Sequence, residues 1–184
     1  SDLQALLERG LRQTELGRWG VDPTLAREQV PSVPLDGYGV FLALAEAHRR
    51  ERPHIPLVVK APWSEHYFSR IHELLAPRGW DVRLLYVIRH PLDTYRSFRY
   101  RSRAWKQRWC RHTDVLAWIK LWLDSTGRWL ELERLYPQMV RLARYECVVA
   151  APVKACRQWC DWLGVADHSH RMAALQQYRP NSSF

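Results

Sequence analysis

What this 184-residue chain has little of narrows its chemistry before any motif is read. It holds four cysteines, Cys110, Cys147, Cys156 and Cys160, and no two of them form a Cys-x-x-Cys pair. That argues against a zinc site and a disulfide framework, and points to reduced, mostly buried thiols. No apolar run is long enough to span a bilayer and no signal peptide opens the sequence, so a cytoplasmic location is expected. GxSxG, HExxH, the dinucleotide glycine fingerprint and the Walker-type loop are all missing. Internal repeats and low-complexity tracts are missing too.

Lysine is scarce as well. The formal net charge of +9 is carried mostly by arginine, whose planar fork suits phosphate, sulfate and carboxylate better than a lysine point charge does. Two readings stay open on charge alone: a solubilising basic surface, or anionic partners. Ten tryptophans are a high count. Most of them, such as Trp118, Trp122 and Trp129, fall at helical spacings that favour core packing.

Strand and helix signals alternate along the chain. Residues 1 to 19 read as an amphipathic helix with Leu3, Leu6, Leu7 and Leu11 on its apolar stripe. Asp22-Pro23 marks a new helix start, and a further helix runs from Asp36 to Arg50 with Val40, Phe41, Leu44 and Ala47 facing inward. Leu57-Val58-Val59 suits a short buried strand ending at Lys60. Ser64 opens a helix through Leu75, which Pro77-Arg78-Gly79 terminates. Val82 to Ile88 is the clearest central strand, stopping at Arg89-His90-Pro91. Helical patterning follows over 92–103 and 113–135. A third strand over 139–145 leads into a helix from Pro152 that Gly164 closes, with Cys156 and Cys160 four apart on one face. The order predicts one α/β domain, rich in helix, a sandwich around a mainly parallel sheet.

In such sheets ligands bind beyond the carboxyl ends of the strands. Two strands here deliver a cation to that end, Lys60 and Arg89, and a buried strand that does so needs an anion to meet it. Ser97 and Arg101 lie four apart on the helix after Arg89. Arg89, Ser97 and Arg101 thus form a candidate grip for one phosphate, helped by the helix N-terminus. The plainer alternative is that Arg89 pairs with Asp93 to brace the turn. For Lys60 the plainer alternative is a salt bridge to Glu65, and for Tyr145 a core position with a tethered hydroxyl. His66 and His72, six apart, are not a metal pair, and no metal site is expected.

Taken in order, these pieces resemble sulfotransferases that use 3′-phosphoadenosine 5′-phosphosulfate (PAPS), particularly the bacterial branch related to tyrosylprotein sulfotransferases. Val59-Lys60-Ala61-Pro62 is similar to the family's Lys-Thr/Ser-Pro strand end. Arg89-His90-Pro91-Leu92-Asp93-Thr94-Tyr95-Arg96-Ser97 is similar to its 3′-phosphate motif. Arg144-Tyr145-Glu146-Cys147-Val148 resembles the late Arg-Tyr-Glu-Asp-Leu strand and helix, and Asn181-Ser182-Ser183-Phe184 the loop that closes over the cofactor. The resemblance implies a three-layer, P-loop-NTPase-like fold over 1–184. It gives Arg89, Ser97 and Arg101 the 3′-phosphate, Tyr145 the nucleotide, Ser182 and Ser183 the phosphosulfate end, and Lys60 the charge that develops on the bridging oxygen. PAPS would be the co-substrate, with a hydroxyl- or amine-bearing acceptor and no metal.

The departures are specific. Ala61 lacks the usual hydroxyl, His90 stands where an acid is common, and Cys147 where Asp is common. The family's first strand and phosphate loop are matched by nothing in the chain, which also stops short of the family's usual C-terminus. Glu8 and Glu15 are general-base candidates only by default. A module that binds a nucleotide or anionic ligand without turnover is therefore the alternative. The arginine cluster from Arg99 to Arg111, with Trp105 and Trp109 interleaved, also permits nucleic-acid binding, although the same cluster equally suits an anionic acceptor and nucleic acid is not the expected partner.

Overall fold

Local capping chemistry sets most of the element boundaries. The computed structural model describes residues 20–34, 36–105 and 114–171, with Ala5 and Glu8 besides, and for 101–105 the backbone only. In chain order the elements are α1 (Pro23–Glu28), α2 (Gly37–Glu51), α3 (Ser64–Leu75), β1 (Leu84–Ile88), α4 (Pro91–Trp105), α5 (Val115–Leu135), β2 (Val140–Arg144), α6 (Tyr145–Ala150) and α7 (Pro152–Leu163). Asp22 caps α1 by accepting the Thr24 N–H at 2.7 Å, with Pro23 in the first turn, where a missing N–H removes no bond. Asp36 and Asp114 cap α2 and α5 in the same way, through Gly39 N–H at 2.9 Å and Leu116 N–H at 3.0 Å. Gly79 (φ 77°) and Gly164 (φ 67°) end their helical segments in the left-handed region that glycine enters freely. The expected amphipathic helix over 1–19 lies outside the described residues except at Ala5 and Glu8.

The described residues gather into two compact units. The first is drawn from the chain up to Pro62 together with Arg70–Asp81, and the second from Trp63–Ser69 and the chain from Val82 onward.

In the first unit α2 is buried on nearly every side. Residues Leu42 to His48 are all buried, which the small Ala43, Ala45 and Ala47 make possible by letting neighbours approach from several directions. Val40, Leu44 and Ala47 face inward as the sequence pattern expects, but Phe41 is only half-buried. Val21, Ala26, Val40, Ala43, Leu44 and Ala47 form this unit's core. A Cβ on Gly39 would lie 1.8 Å from the Pro34 carbonyl oxygen, so no larger residue fits there. Buried Glu46 is satisfied by the Trp80 Nε1–H at 2.9 Å and by Arg49 at 2.5 Å. Arg49 also lies over the Trp80 ring and donates to the Arg78 carbonyl at 2.7 Å. A buried carboxylate needs this kind of double compensation.

In the second unit β1 and β2 pair in parallel, in register from Leu84 opposite Val140 to Ile88 opposite Arg144. Parallel strands require a long crossover, here supplied by α4 and α5. Phe68, Leu84, Trp129, Leu132 and Val140 form the core, and the Tyr86 ring stacks on Trp129 at 6.1 Å. The strand expected at Leu57-Val58-Val59 does not form. Those residues belong to no helix or strand, with Val58 85% exposed. Three β-branched or apolar residues between Pro56 and Pro62 have strand propensity, but propensity needs a pairing neighbour and apolar cover to act. Among the described residues the arrangement is thus a helix-rich α/β fold whose sheet has two parallel strands. No described helix is long and apolar enough to cross a membrane.

Candidate anion-binding site

Because β1 and β2 run parallel and end level with each other, the residues that follow them emerge side by side. Those residues are Arg89 and Tyr145, both singled out in the sequence. The Arg89 guanidinium lies over the Tyr145 ring, 4.8 Å from its centroid. Both residues are half-buried. A guanidinium over an aromatic face is attracted by the ring's quadrupole, which helps to place Arg89 at the strand ends.

The start of α4 is already occupied by a carboxylate. Glu146 Oε1 accepts the His90 backbone N–H at 2.8 Å. That amide bond is the main reason the Glu146 carboxyl is held below its ordinary pKa; its own backbone N–H adds to the effect, and the His90 and Arg89 charges contribute less. An internal acid thus takes the His90 amide at the start of α4. Thr94 Oγ1 donates to the His90 carbonyl at 3.0 Å and tightens the same turn. Asp93, the carboxylate considered as a brace for Arg89, lies 3.7 Å from Arg96.

Ser97 sits half-buried on the second turn of α4. Tyr95 and Phe98 on either side of it pack against Trp118 of α5, at ring separations of 6.5 and 5.2 Å. The α4 backbone carries Arg101 one turn beyond Ser97. Lys60 is exposed, belongs to no strand, and makes no ion pair among the described residues. Glu65, its considered partner, accepts a hydrogen bond from Ser125 instead. Ser182, Ser183, Glu15 and Cys110 lie outside the described residues. Glu8 pairs with Arg27 at 2.5 Å, an interaction that raises the arginine's pKa. Cys156 and Cys160 do share a face of α7, and burial, with the neighbouring Cys160 thiol next, pushes the Cys156 thiol up.

Two features escaped the sequence reading. One is Glu146, which could have been noticed as an acid one residue past a strand end. The other is a polar relay inside the second unit. The Ser125 hydroxyl donates to Glu65 Oε1 at 2.5 Å and lies 2.6 Å from the Tyr86 hydroxyl. A serine has one proton to give, so Tyr86 must be the donor to Ser125. Burial is the main cause of the raised Tyr86 pKa. Beside the relay runs an open cleft of about 470 Å³, lined by His66, Leu123, Asp124, Gly127, Arg128 and Glu131. The signal for the relay was a serine set among Trp122, Trp129 and Leu132 on the inner stripe of α5.

No group of three or more His, Cys, Asp or Glu side chains able to hold a metal ion comes together among the described residues. No family model matches the chain, and neither a curated protein nor a solved structure was found to match it.

Proposed function

We propose that this chain binds the nucleotide end of PAPS and transfers its sulfuryl group to a hydroxyl or amine acceptor. The observation that carries the reading is the Arg89–Tyr145 pair at the level carboxyl ends of two parallel strands, with a helix following each strand. A guanidinium suits a terminal phosphate, and an aromatic beside it suits a nucleotide. The three-layer, P-loop-NTPase-like sandwich is part of the same proposal.

The residues divide the work. Arg89, Ser97 and Arg101 hold the 3′-phosphate, Tyr145 borders the nucleotide, and Ser182 and Ser183 close over the phosphosulfate end. The acceptor attacks sulfur in line as the bond to the bridging oxygen breaks. The resemblance gives the charge left on that oxygen to Lys60, and adenosine 3′,5′-bisphosphate departs. The acceptor's proton passes to a general base, for which Glu8 and Glu15 are the default candidates.

Calorimetry with adenosine 3′,5′-bisphosphate tests the site. Removing one charge-assisted partner of a phosphate costs about 1.5–3 kcal/mol, so Arg89→Ala should weaken binding about 10- to 150-fold. Equal affinity in wild type and Arg89→Ala would sink the assignment. A second reading, binding without turnover, is favoured by the exposed, strandless segment that carries Lys60. Measuring sulfuryl transfer from PAPS alongside binding separates the two.

A further inference from the structure

Two thiols on α7 take no part in the proposed function. Cys156 and Cys160 lie four residues apart on that helix, which sets their Cβ atoms about 5–6 Å apart on one face. Cys160 is buried, Cys156 is half-buried, and neither is in a disulfide. Burial pushes the Cys156 thiol up, and a hydrogen bond to Cys160 adds to that effect. The two sulfur atoms are therefore neighbours.

A thiol gains little from another thiol, since each is only a weak donor and a weak acceptor. Asp167, whose charge reaches Cys156, is occupied: its oxygens take the Ser169 N–H at 2.7 Å and the Arg157 Nε–H at 3.3 Å. Among the described residues no group of three or more His, Cys, Asp or Glu side chains could hold a metal ion. The pair thus offers two soft sulfurs with no third ligand among the described residues.

That donor set selects by coordination number. Structural zinc takes four ligands and iron–sulfur clusters take four cysteines, so neither fits a pair. The missing Cys-x-x-Cys spacing argues against zinc, but a cation that needs only two ligands does not require it. Soft thiolates favour Cu(I), whose filled d shell accepts two ligands in line. With metal–sulfur bonds of about 2.3 Å, as zinc makes to thiolate, the two sulfurs stand about 4.6 Å apart. Side chains from Cβ atoms about 5–6 Å apart span that distance without moving the helix. We propose that Cys156 and Cys160 form a two-coordinate site for a soft monovalent cation, Cu(I).

Binding exchanges protons for metal, with no change of oxidation state. Each S–H gives its proton to solvent, two Cu–S bonds form, and copper stays at +1. The product carries one net negative charge, which suits a chain of net charge +9. Half-buried Cys156 gives the cation a way in, and buried Cys160 limits the water that could enlarge the coordination shell.

Anaerobic competition against bicinchoninate, a coloured chelator of Cu(I), reads the site. The full chain carrying Cys110→Ser and Cys147→Ser should hold one Cu(I) per chain. Adding Cys156→Ser or Cys160→Ser to that protein should weaken binding at least about 100-fold, because one sulfur does not hold the cation alone. Helical circular dichroism should stay unchanged; if the buried Cys160→Ser unfolds the chain, the half-buried Cys156→Ser carries the test. Between about pH 6 and 7.5 the affinity should rise close to 100-fold per pH unit, since two protons leave for each cation bound. No Cu(I) held by the Cys110→Ser/Cys147→Ser protein would overturn the proposal, as would binding indifferent to Cys156→Ser. One Cu(I) shared between two chains, or a rise of only about tenfold per pH unit, would overturn the pairing of the two thiols. Zn(II) held as tightly as Cu(I) would overturn the two-coordinate assignment.

Discussion

Replacing Ser125 with alanine probes the densest polar contact of the second unit. The residue is buried, and its oxygen stands between two others: it donates to Glu65 Oε1 at 2.5 Å and receives Tyr86 Oη–H at 2.6 Å. Glu65 is itself only 4% exposed. Ser125→Ala removes one bond between neutral groups, a loss of about 1 kcal/mol, and one bond to a carboxylate, a loss of about 1.5–3 kcal/mol. The sum is about 2.5–4 kcal/mol. At about 2–4 °C per kcal/mol for a chain of this size, Tm should fall by roughly 5–16 °C. Tyr86→Phe removes only the neutral bond and should cost about 1 kcal/mol.

The two changes share that bond, so their effects should not add. In a double-mutant cycle Tyr86→Phe should cost almost nothing once Ser125 is alanine, a coupling of about 1 kcal/mol. Urea unfolding followed by tryptophan fluorescence gives each value, since Trp129 lies against Tyr86. The tyrosine titration gives an independent reading. Burial is the main cause of the raised Tyr86 pKa, the Ser125 bond opposes it, and the Glu65 charge adds to it. Glu65→Gln should therefore lower the pKa of this one tyrosine in an ultraviolet absorbance titration. The relay is refuted if Ser125→Ala leaves stability within about 0.5 kcal/mol of wild type, the range of an ordinary surface change.

Two further predictions concern the backbone and pH. Gly39→Ala, which inside an ordinary helix gains up to about 1 kcal/mol, should here destabilise by about 1–3 kcal/mol, because the new Cβ meets the Pro34 carbonyl oxygen; an increase in the urea midpoint would contradict the packing described. Glu146 has a folded pKa below the ordinary carboxylate value, so its contribution is present above about pH 4.3 and is lost as pH falls through the folded value. Wild type should then lose more stability than Glu146→Gln between about pH 5 and 3, and parallel acid titrations of the two proteins would count against the capping contact.

Much of the fold was legible where local chemistry decides it. Asp22-Pro23, Asp36, Gly79 and Gly164 mark helix ends by rules that involve only a few neighbouring residues, and each boundary falls where those rules put it. The two strands with long apolar runs also formed, within two residues of the expected bounds. Leu57-Val58-Val59 failed because a strand is a relation between segments, and three residues carry no information about a neighbour. Phe41 was misplaced for a similar reason. A one-sided stripe is the ordinary helical pattern, but α2 is covered on several sides, so hydrophobicity alone does not choose its inner face. At the site, the adjacency of Arg89 and Tyr145 follows from parallel register, which the alternation of strands and helices suggested. Glu146 at the α4 start and Ser125 beneath Tyr86 are contacts across 56 and 39 residues, and no local rule reaches that far.

The Glu146 contact bears on what the strand ends can hold. Arg89, the start of α4 and the His90 amide together make a small region of positive potential, and a protein with net charge +9 has no general need to neutralise it internally. Glu146, near the start of α6, nonetheless places one carboxylate oxygen on the His90 amide. In the proposed function, a phosphate at Arg89 meets a helix start whose His90 amide is already taken by Glu146. The Glu146 charge opposes the ligand's. If the proposed function holds, a ligand that brings more negative charge than one carboxylate, as a terminal phosphate does, competes better for this region than a simple carboxylic acid.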